Sequence, residues 1–410
     1  MKQRYEENKI KKPYLWDVRV LGGAMLAIAV AIGTIGYLNQ HGALDLGEKV
    51  GILLSDFYAN FSTELASIAI TVLLIDSLQK RHETQQHKER LIHHLGSKHN
   101  VTAVQAVDEL RLYGWLRDGT LQGLFLNRAN LEGADLNFSD LRGVHLDGTN
   151  LQNAQFIEAN LEGAEIVFSN MIGAVFVKTN LQGAILGLKN TVGGSNLNKA
   201  DMREANLRTA NLSRCSVQEA LLEGADFSNA SLIETDLQGS DLRRTNLQST
   251  NLLGASLDGA WLWSSQLQDS NVLDEQLVKT QGLRGAIMPN GNLYDGRFNL
   301  PGDLSLARGE LIVIAKIWEF QSGENIDIFN QNAMAEFYKV SLDDYLIGQK
   351  WAESNLSRMK SNEDTRKLLK TNRQGKSKNI KDSKRLRDST QTKEDKRAKQ
   401  RVKDKHKTIK

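Results

Sequence analysis

The sequence predicts a repeat solenoid behind a pair of membrane-length helices. Three observations predict it. Apolar residues return every fifth position between Leu121 and Leu277, two uncharged apolar runs lie near the N-terminus, and a lysine-rich stretch follows Arg358. A five-residue step turns an α-helix by about 140°, which would scatter the leucines around the cylinder. On a strand an odd spacing throws successive leucines onto opposite faces. The chain must therefore turn within every unit.

A length of 410 residues leaves room for two or three domains. The single cysteine, Cys215, excludes an internal disulfide framework and fits a reducing or redox-neutral compartment. The formal net charge of +3 hides an asymmetry. From Arg358 onward there are 21 Lys/Arg against 7 Asp/Glu, a net +14, which leaves −11 for residues 1–357. Residues 121–282 carry 11 basic and 19 acidic side chains, a net −8.

Residues 1–19 read as a cytoplasmic N-terminus, and 20–38 ("VLGGAMLAIAVAIGTIGYL") as a first transmembrane helix. A cleaved signal peptide is the rival reading, but a second run at 57–75 favours a hairpin across an external loop at 39–56. Lys2, Arg4, Lys9, Lys11, Lys12 and Arg19 precede the first span, and Lys80, Arg81, Lys88 and Arg90 follow the second. Both termini should then be cytoplasmic, making a multi-pass membrane protein. Glu64 falls inside the second span, where a carboxylate is costly. Either it serves an ion, proton or partner-helix contact, or the span starts near Leu65 and Glu64 sits at the interface. Ala27 with Ala31, and Ala29 with Gly33, form small-residue pairs that permit close helix packing, including a homodimer.

Residues 76–118 read as a helical connector and N-terminal cap, with Asn100 capping the helix "VTAVQAVDELRLYGWL". His82, His87, His93, His94 and His99 match no compact ligand spacing, so a solvated helix face is expected rather than a metal site.

Residues 119–288 carry the repeat. Its register runs in fives from Leu121 to Thr191, resumes one residue late at Leu197, and ends at Leu277. Only Thr191 departs from Leu, Ile, Val, Met or Phe, and two residues earlier the side chain is nearly always small. The residue between is commonly Asn or Asp. This A(D/N)LXX pattern resembles the pentapeptide-repeat family. The resemblance implies an all-β, right-handed quadrilateral β-helix with four five-residue sides per coil. Glycine in units such as Gly133, Gly163 and Gly224 suits the φ > 0 position of a type II turn. Inward positions should include Leu131, Leu136, Leu141, Phe156, Phe176, Leu207, Cys215, Phe227, Leu237 and Leu247. Trp115 and Leu116 should cap one end, and "GLRGAIMPNGNLYDGRFNLPGD" (282–303) should form the exit from the other.

Several features exceed the repeat. The extra residue within "GLKNTVGGSN" (187–196) should make a bulge or short loop that kinks the rod. Val167, Phe168, Val175, Ile185 and Leu188 occupy outward positions near it. They should stack into an apolar patch that meets either flanking segments or a partner. Trp261 and Trp263 should be at least partly exposed, for binding or for cap packing. Residues 289–357 read as a C-terminal cap with a small helical region, Ser341 and Asp344 forming a capping box. This stretch resembles the C-terminal region of membrane-anchored cyanobacterial pentapeptide-repeat proteins with two N-terminal transmembrane helices. "LARGELIVIAKIWEF" (306–320) is extra within that pattern and reads as a strand or a buried helix. Residues 358–410 are a basic, core-less tail, expected to be disordered. It would bind anionic lipid or nucleic acid, or merely solubilise the chain.

No phosphate loop, metal-ligand spacing or nucleophile motif occurs, so neither enzyme nor cofactor is expected. The leading expectation is a membrane-tethered interaction scaffold for an unidentified protein partner. One alternative, implied by the family, is a DNA mimic that modulates DNA gyrase. The other is a regulator of transport or envelope assembly acting through the spans.

Overall fold

The computed structural model describes residues 18–41, 48–188, 190, 193–310, 312–313, 320–321 and 323–359. The chain falls into two compact units, Met1–His94 and Leu95–Lys410.

In the first unit, α1 (Val18–Gln40) packs against α2 (Glu48–Leu95). The two run antiparallel. A methyl group added at Gly22 would approach Leu73 to 2.9 Å, and one at Gly33 would lie 3.5 Å from the Ser62 hydroxyl. Gly22, Ala29 and Gly36 are buried at seven-residue intervals on α1, and Ala69 is buried on α2. Small side chains at that spacing let the two backbones approach closely. Ala29 and Gly33 therefore serve the hairpin itself, whereas Ala27 and Ala31 are exposed. The second span, expected at 57–75, lies inside a single helix. Residues 48–56, expected in a loop, and the connector as far as Leu95 belong to the same helix, which no proline interrupts.

The second unit opens with α3 (Asn100–Leu112), which buries Ala103, Ala106, Val107 and Leu110. Its N-cap is His99, not Asn100, and no side chain caps it. The Asn100 amide instead donates to Glu132 O at 2.8 Å in the first coil. Asn130 N donates to Ser97 O, Asp140 N donates to Leu116 O, and Arg111 pairs with Asp135 at 2.7 Å. Together these cover the open edge of the first coil, which would otherwise offer unpaired donors and acceptors.

The repeat is explained by one unit, 150–154. Asn150 N donates to Ala129 O in the coil before, while Leu151 N and Asn153 N donate to Asn170 O and Ile172 O in the coil after. Ala154 N closes a tight turn on Leu151 O, and Gln152 N is taken by the Asn150 side chain at 3.3 Å. Every N–H of the unit is used, which is why no proline enters the repeat. It also explains the Asn/Asp position: its side-chain oxygen accepts the one N–H that neither coil nor turn satisfies. The same amides form ladders along the rod, Asn150 to Asn130 at 3.1 Å and Asn170 to Asn150 at 3.3 Å.

Parallel bridges join residues twenty apart, as in Asn130–Asn150–Asn170, so four units complete one coil. The expected all-β character is reduced to these single-residue bridges, because a turn in every five-residue side leaves no room for an extended strand. The turns adopt positive φ at glycines such as Gly133 (+67°) and equally at Glu158 (+53°) and Thr209 (+57°). The coil imposes the left-handed conformation whatever residue stands there.

Inside, all ten expected inward residues are buried, and Phe156 stacks on Phe176 at 4.9 Å. Inward hydroxyls bond to backbone oxygens, as Thr179 does to Phe156 O at 2.6 Å. The expected one-residue bulge is larger than that. Asn170 bridges Asn196, and Ile185 bridges Asn211, so this coil holds six extra residues. Thr191 lies outside the described residues, and the bridge ladders continue past the insertion instead of ending there. The stems of this loop press on Cys215, leaving no space for a Cβ at Gly187 or Gly194.

The last coil ends at the bridges Trp261–Gly282 and Gln266–Ile287, with α4 (Asp274–Leu277) replacing one side. Then follow α5 (Pro301–Ala307), a short antiparallel pair β1 (Ile312–Val313) and β2 (Phe320–Gln321), α6 (Gln331–Tyr338), and a helix α7 at 342–359. In the extra segment the strand reading holds at Ile312–Val313; residues 314–319 lie outside the described set, as do 358–410 apart from 358–359. Asp344 N donates to Ser341 Oγ at 3.1 Å, so Ser341 caps α7 as expected, but the Asp344 carboxylate accepts from the Ser341 hydroxyl rather than from its backbone N–H, leaving half of the expected capping box.

Candidate functional site

The expected apolar patch divides. Ile185 lies on the side bridged to Glu165 and Asn211, whereas Val175 lies on the opposite side, bridged to Gln155 and Asp201. Val167 is buried, its N–H donating to the Asp147 carboxylate at 2.8 Å. Phe168 stays 54% exposed on a positive-φ turn, with Leu188 37% exposed. Along the side of Ile185, Phe125 stacks flat on His145 at 4.2 Å, and His145 Nδ1 lies 3.0 Å from Glu165. The only sequence signal for that row is its spacing of twenty residues.

Trp261 and Trp263, expected partly exposed, are both buried and meet edge-to-face at 4.8 Å. The reason is α5. Gly302 sits directly over Trp261, and Trp263 Nε1 donates to Asp303 Oδ1 at 2.7 Å. Asp303 also accepts from Leu283 N and Arg284 N, yet complete burial pushes its carboxyl up to about 6. The tryptophan pair is thus cap packing. Cys215 is likewise buried, its thiol pushed up to about 12 by desolvation. Glu64 is exposed on α2.

Where the last repeats meet the cap, a cleft of about 170 Å³ opens between Arg243, Arg244, Trp263, Arg284, Leu306, Gln321, Phe337, Tyr338 and Lys339. Arg243 is held by Asp241 through two bonds of 2.8 and 2.7 Å. Arg284 lies over the Phe337 ring at 4.2 Å, donates to Phe337 O, and pairs with Glu324 at 2.6 Å. Arg244 reaches Glu223 only at 3.6 Å with a 75% exposed side chain, and Lys339 is exposed at the left-handed end of α6. The Tyr338 hydroxyl is buried and has no hydrogen-bond partner among the described residues. Such a cleft can hold an acidic group. Its walls come from residues up to 96 positions apart, so no local motif announces it.

The family model for pentapeptide repeats matches residues 116–148, 126–163, 149–187, 193–224 and 225–263. Among solved structures, HetL, a pentapeptide-repeat protein involved in heterocyst differentiation regulation from the cyanobacterium Nostoc sp. strain PCC 7120, is 28% identical. That match covers 45% of this chain and 98% of HetL, with a TM-score of 0.24. The pentapeptide-repeat protein alr5209, also from Nostoc PCC 7120, is 32% identical over 25% of this chain and 83% of its own, with a TM-score of 0.21. QnrB1, a plasmid-mediated fluoroquinolone resistance protein, is 18% identical over 42% of this chain and 85% of its own, with a TM-score of 0.29. No curated protein matches the chain. The repeat register, the twenty-residue bridge spacing and the family match agree that residues 116–263 form a pentapeptide-repeat region.

Proposed function

We propose that this protein is a non-enzymatic, membrane-tethered scaffold that presents its repeat rod to a protein partner in the cytoplasm. The observation that carries the reading is the surface of the hairpin. With α1 and α2 packed together, Val20, Leu21, Ile28, Val30, Ile35, Ile68, Ile70, Leu74 and Ile75 all remain 41% or more exposed. A core helix of a soluble protein would bury such side chains, and lipid is the solvent that suits them. The four-sided coil is taken as right-handed, the sense implied by the family. The cleft of Arg244, Arg284 and Lys339 receives an acidic segment of the partner.

A topology assay tests the reading. In sealed vesicles of cytoplasm-inside orientation, tags at both termini should resist external protease, and a tag inserted at 42–47 should be cut. Cleavage of either terminal tag in intact vesicles would overturn the assignment.

The DNA-mimic alternative is weakened by how the rod spends its carboxylates. Asp201 pairs with Arg203, Asp241 and Glu223 with Arg243, and Glu234 with Arg214, which interrupts any continuous acidic face. A rod fragment should therefore leave gyrase supercoiling unchanged.

A further inference from the structure

We propose that the hairpin pairs with a second copy of this chain through a polar stripe on α2 centred on Glu64. The inference rests on the membrane reading above and goes beyond it.

Two contacts set the depth of Glu64. Gly22 faces Leu73 and Gly33 faces Ser62, so each residue of α2 lies level with the α1 residue whose number makes the same sum, 95. Glu64 is then level with Ala31, seven residues inside the Leu38 end of the apolar run Val20–Leu38. At the helical rise this is about 10 Å inside the hydrocarbon boundary. A span beginning at Leu65, with Glu64 at the interface, does not fit this register.

Direction is the second observation. The α1-facing side of α2 consists of Ser62, Leu65, Ala66, Ala69, Val72, Leu73 and Asp76, each buried or half-buried. Asn60, Glu64, Ser67 and Thr71 are all exposed. Their spacings of four, three and four residues place them on one line on the other side of the helix. Hairpin formation therefore leaves this line open. Among the described residues no hydrogen bond or ion pair reaches the Glu64 carboxyl, and the Thr71 hydroxyl turns back to Ser67 O at 2.8 Å.

A carboxyl facing hydrocarbon requires a hydrogen-bonding partner, because lipid offers none. The chemistry of the stripe selects a second copy. Copies inserted in one orientation meet about a two-fold axis along the membrane normal, which brings identical residues together at identical depth. The Ser67 hydroxyl of each copy then donates to the Glu64 carboxyl of the other, so donor and acceptor match without a cation from elsewhere. The small seam of Gly22, Ala29 and Gly36 is consumed within each hairpin and does not compete.

Disulfide mapping of the full chain in native membranes tests this, in a Cys215→Ala background. Ser67→Cys should cross-link readily to a band of twice the chain mass. Ile70→Cys, also exposed and at nearly the same depth but about a quarter-turn or more off the stripe, should cross-link at least tenfold less. Adding Glu64→Leu should reduce the Ser67→Cys product at least tenfold, and Glu64→Gln should largely preserve it. Equal cross-linking at positions 67 and 70, indifference to Glu64→Leu, or a product containing a different protein would overturn the pairing. Extraction of the chain from the membranes by alkali would overturn the membrane reading and the pairing together. A chain that resists alkali yet fails to cross-link would overturn the pairing alone.

Discussion

The repeat rod and its C-terminal cap are stabilised in opposite ways, although they share one continuous core. In the rod each five-residue unit satisfies two of its N–H groups internally and the other three through the coils before and after, which repeat the same pattern twenty residues away. In the cap, stability is concentrated in few groups. Tyr294 meets Tyr338 edge-to-face at 5.5 Å, Phe298 meets Trp351 at 5.3 Å, and the fully buried Asp303 ties α5 to the last coil. Damage to the rod should therefore spread along stacked coils, whereas damage to the cap should turn on single polar groups.

The largest expected effect is in the rod. Leu237→Asp places a carboxylate among stacked apolar side chains at a fully buried position and should cost more than about 4 kcal/mol. Gln238→Asp, one residue on and exposed, should shift a thermal melt by little. Equal tolerance of both would break the inward assignment.

Asp303→Asn examines the cap. The amide oxygen can replace Oδ1 towards Trp263 and Arg284 N, but the amide NH2 then opposes the N–H of Leu283. At pH 5 the loss should be about 1–3 kcal/mol. The pH dependence has a definite sign. Burial raises this carboxyl from 3.8 to about 6, so the folded state holds the proton more tightly than the unfolded chain. Its contribution is most favourable below about pH 4 and falls as pH rises to 6, by up to about 3 kcal/mol. Chemical denaturation at pH 5 and 7.5 should show about half of this fall in the wild type, with the Asn chain the less pH-sensitive.

Asn150→Ala removes the acceptor for Gln152 N and two rungs of the amide ladder, for an expected loss of about 1–2 kcal/mol. The smallest effect should be a gain. Thr209 is a β-branched residue at φ +57°, and Thr209→Gly should stabilise the rod by about 1 kcal/mol in denaturant titration.

How much of this was legible in the sequence follows the same division. The rod could be read because its side chains repeat with the coil: Leu131, Phe156 and Leu237 are inward by register alone. The reason for Asn and Asp between them lay in backbone bonding, which no apolar pattern reports. The insertion was underestimated because a step of six residues looks, in a period of five, like a slip of one. Trp261 and Trp263 occupy outward repeat positions, and nothing local to them tells that α5, forty residues later, covers them. The cleft escaped for the same reason, as its Arg244 and Lys339 meet only through the cap. Glu64 was visible as an anomaly, but its depth depended on the register of α1 against α2.

The central claim is that the exposed apolar surface of the α1–α2 hairpin is embedded in lipid. Alkaline carbonate extraction of membranes from cells expressing the full chain tests it most directly. The intact protein should remain in the pellet and enter solution only with detergent, while a chain beginning after Leu95 should be recovered in the supernatant. Release of the intact chain by carbonate alone would contradict the account.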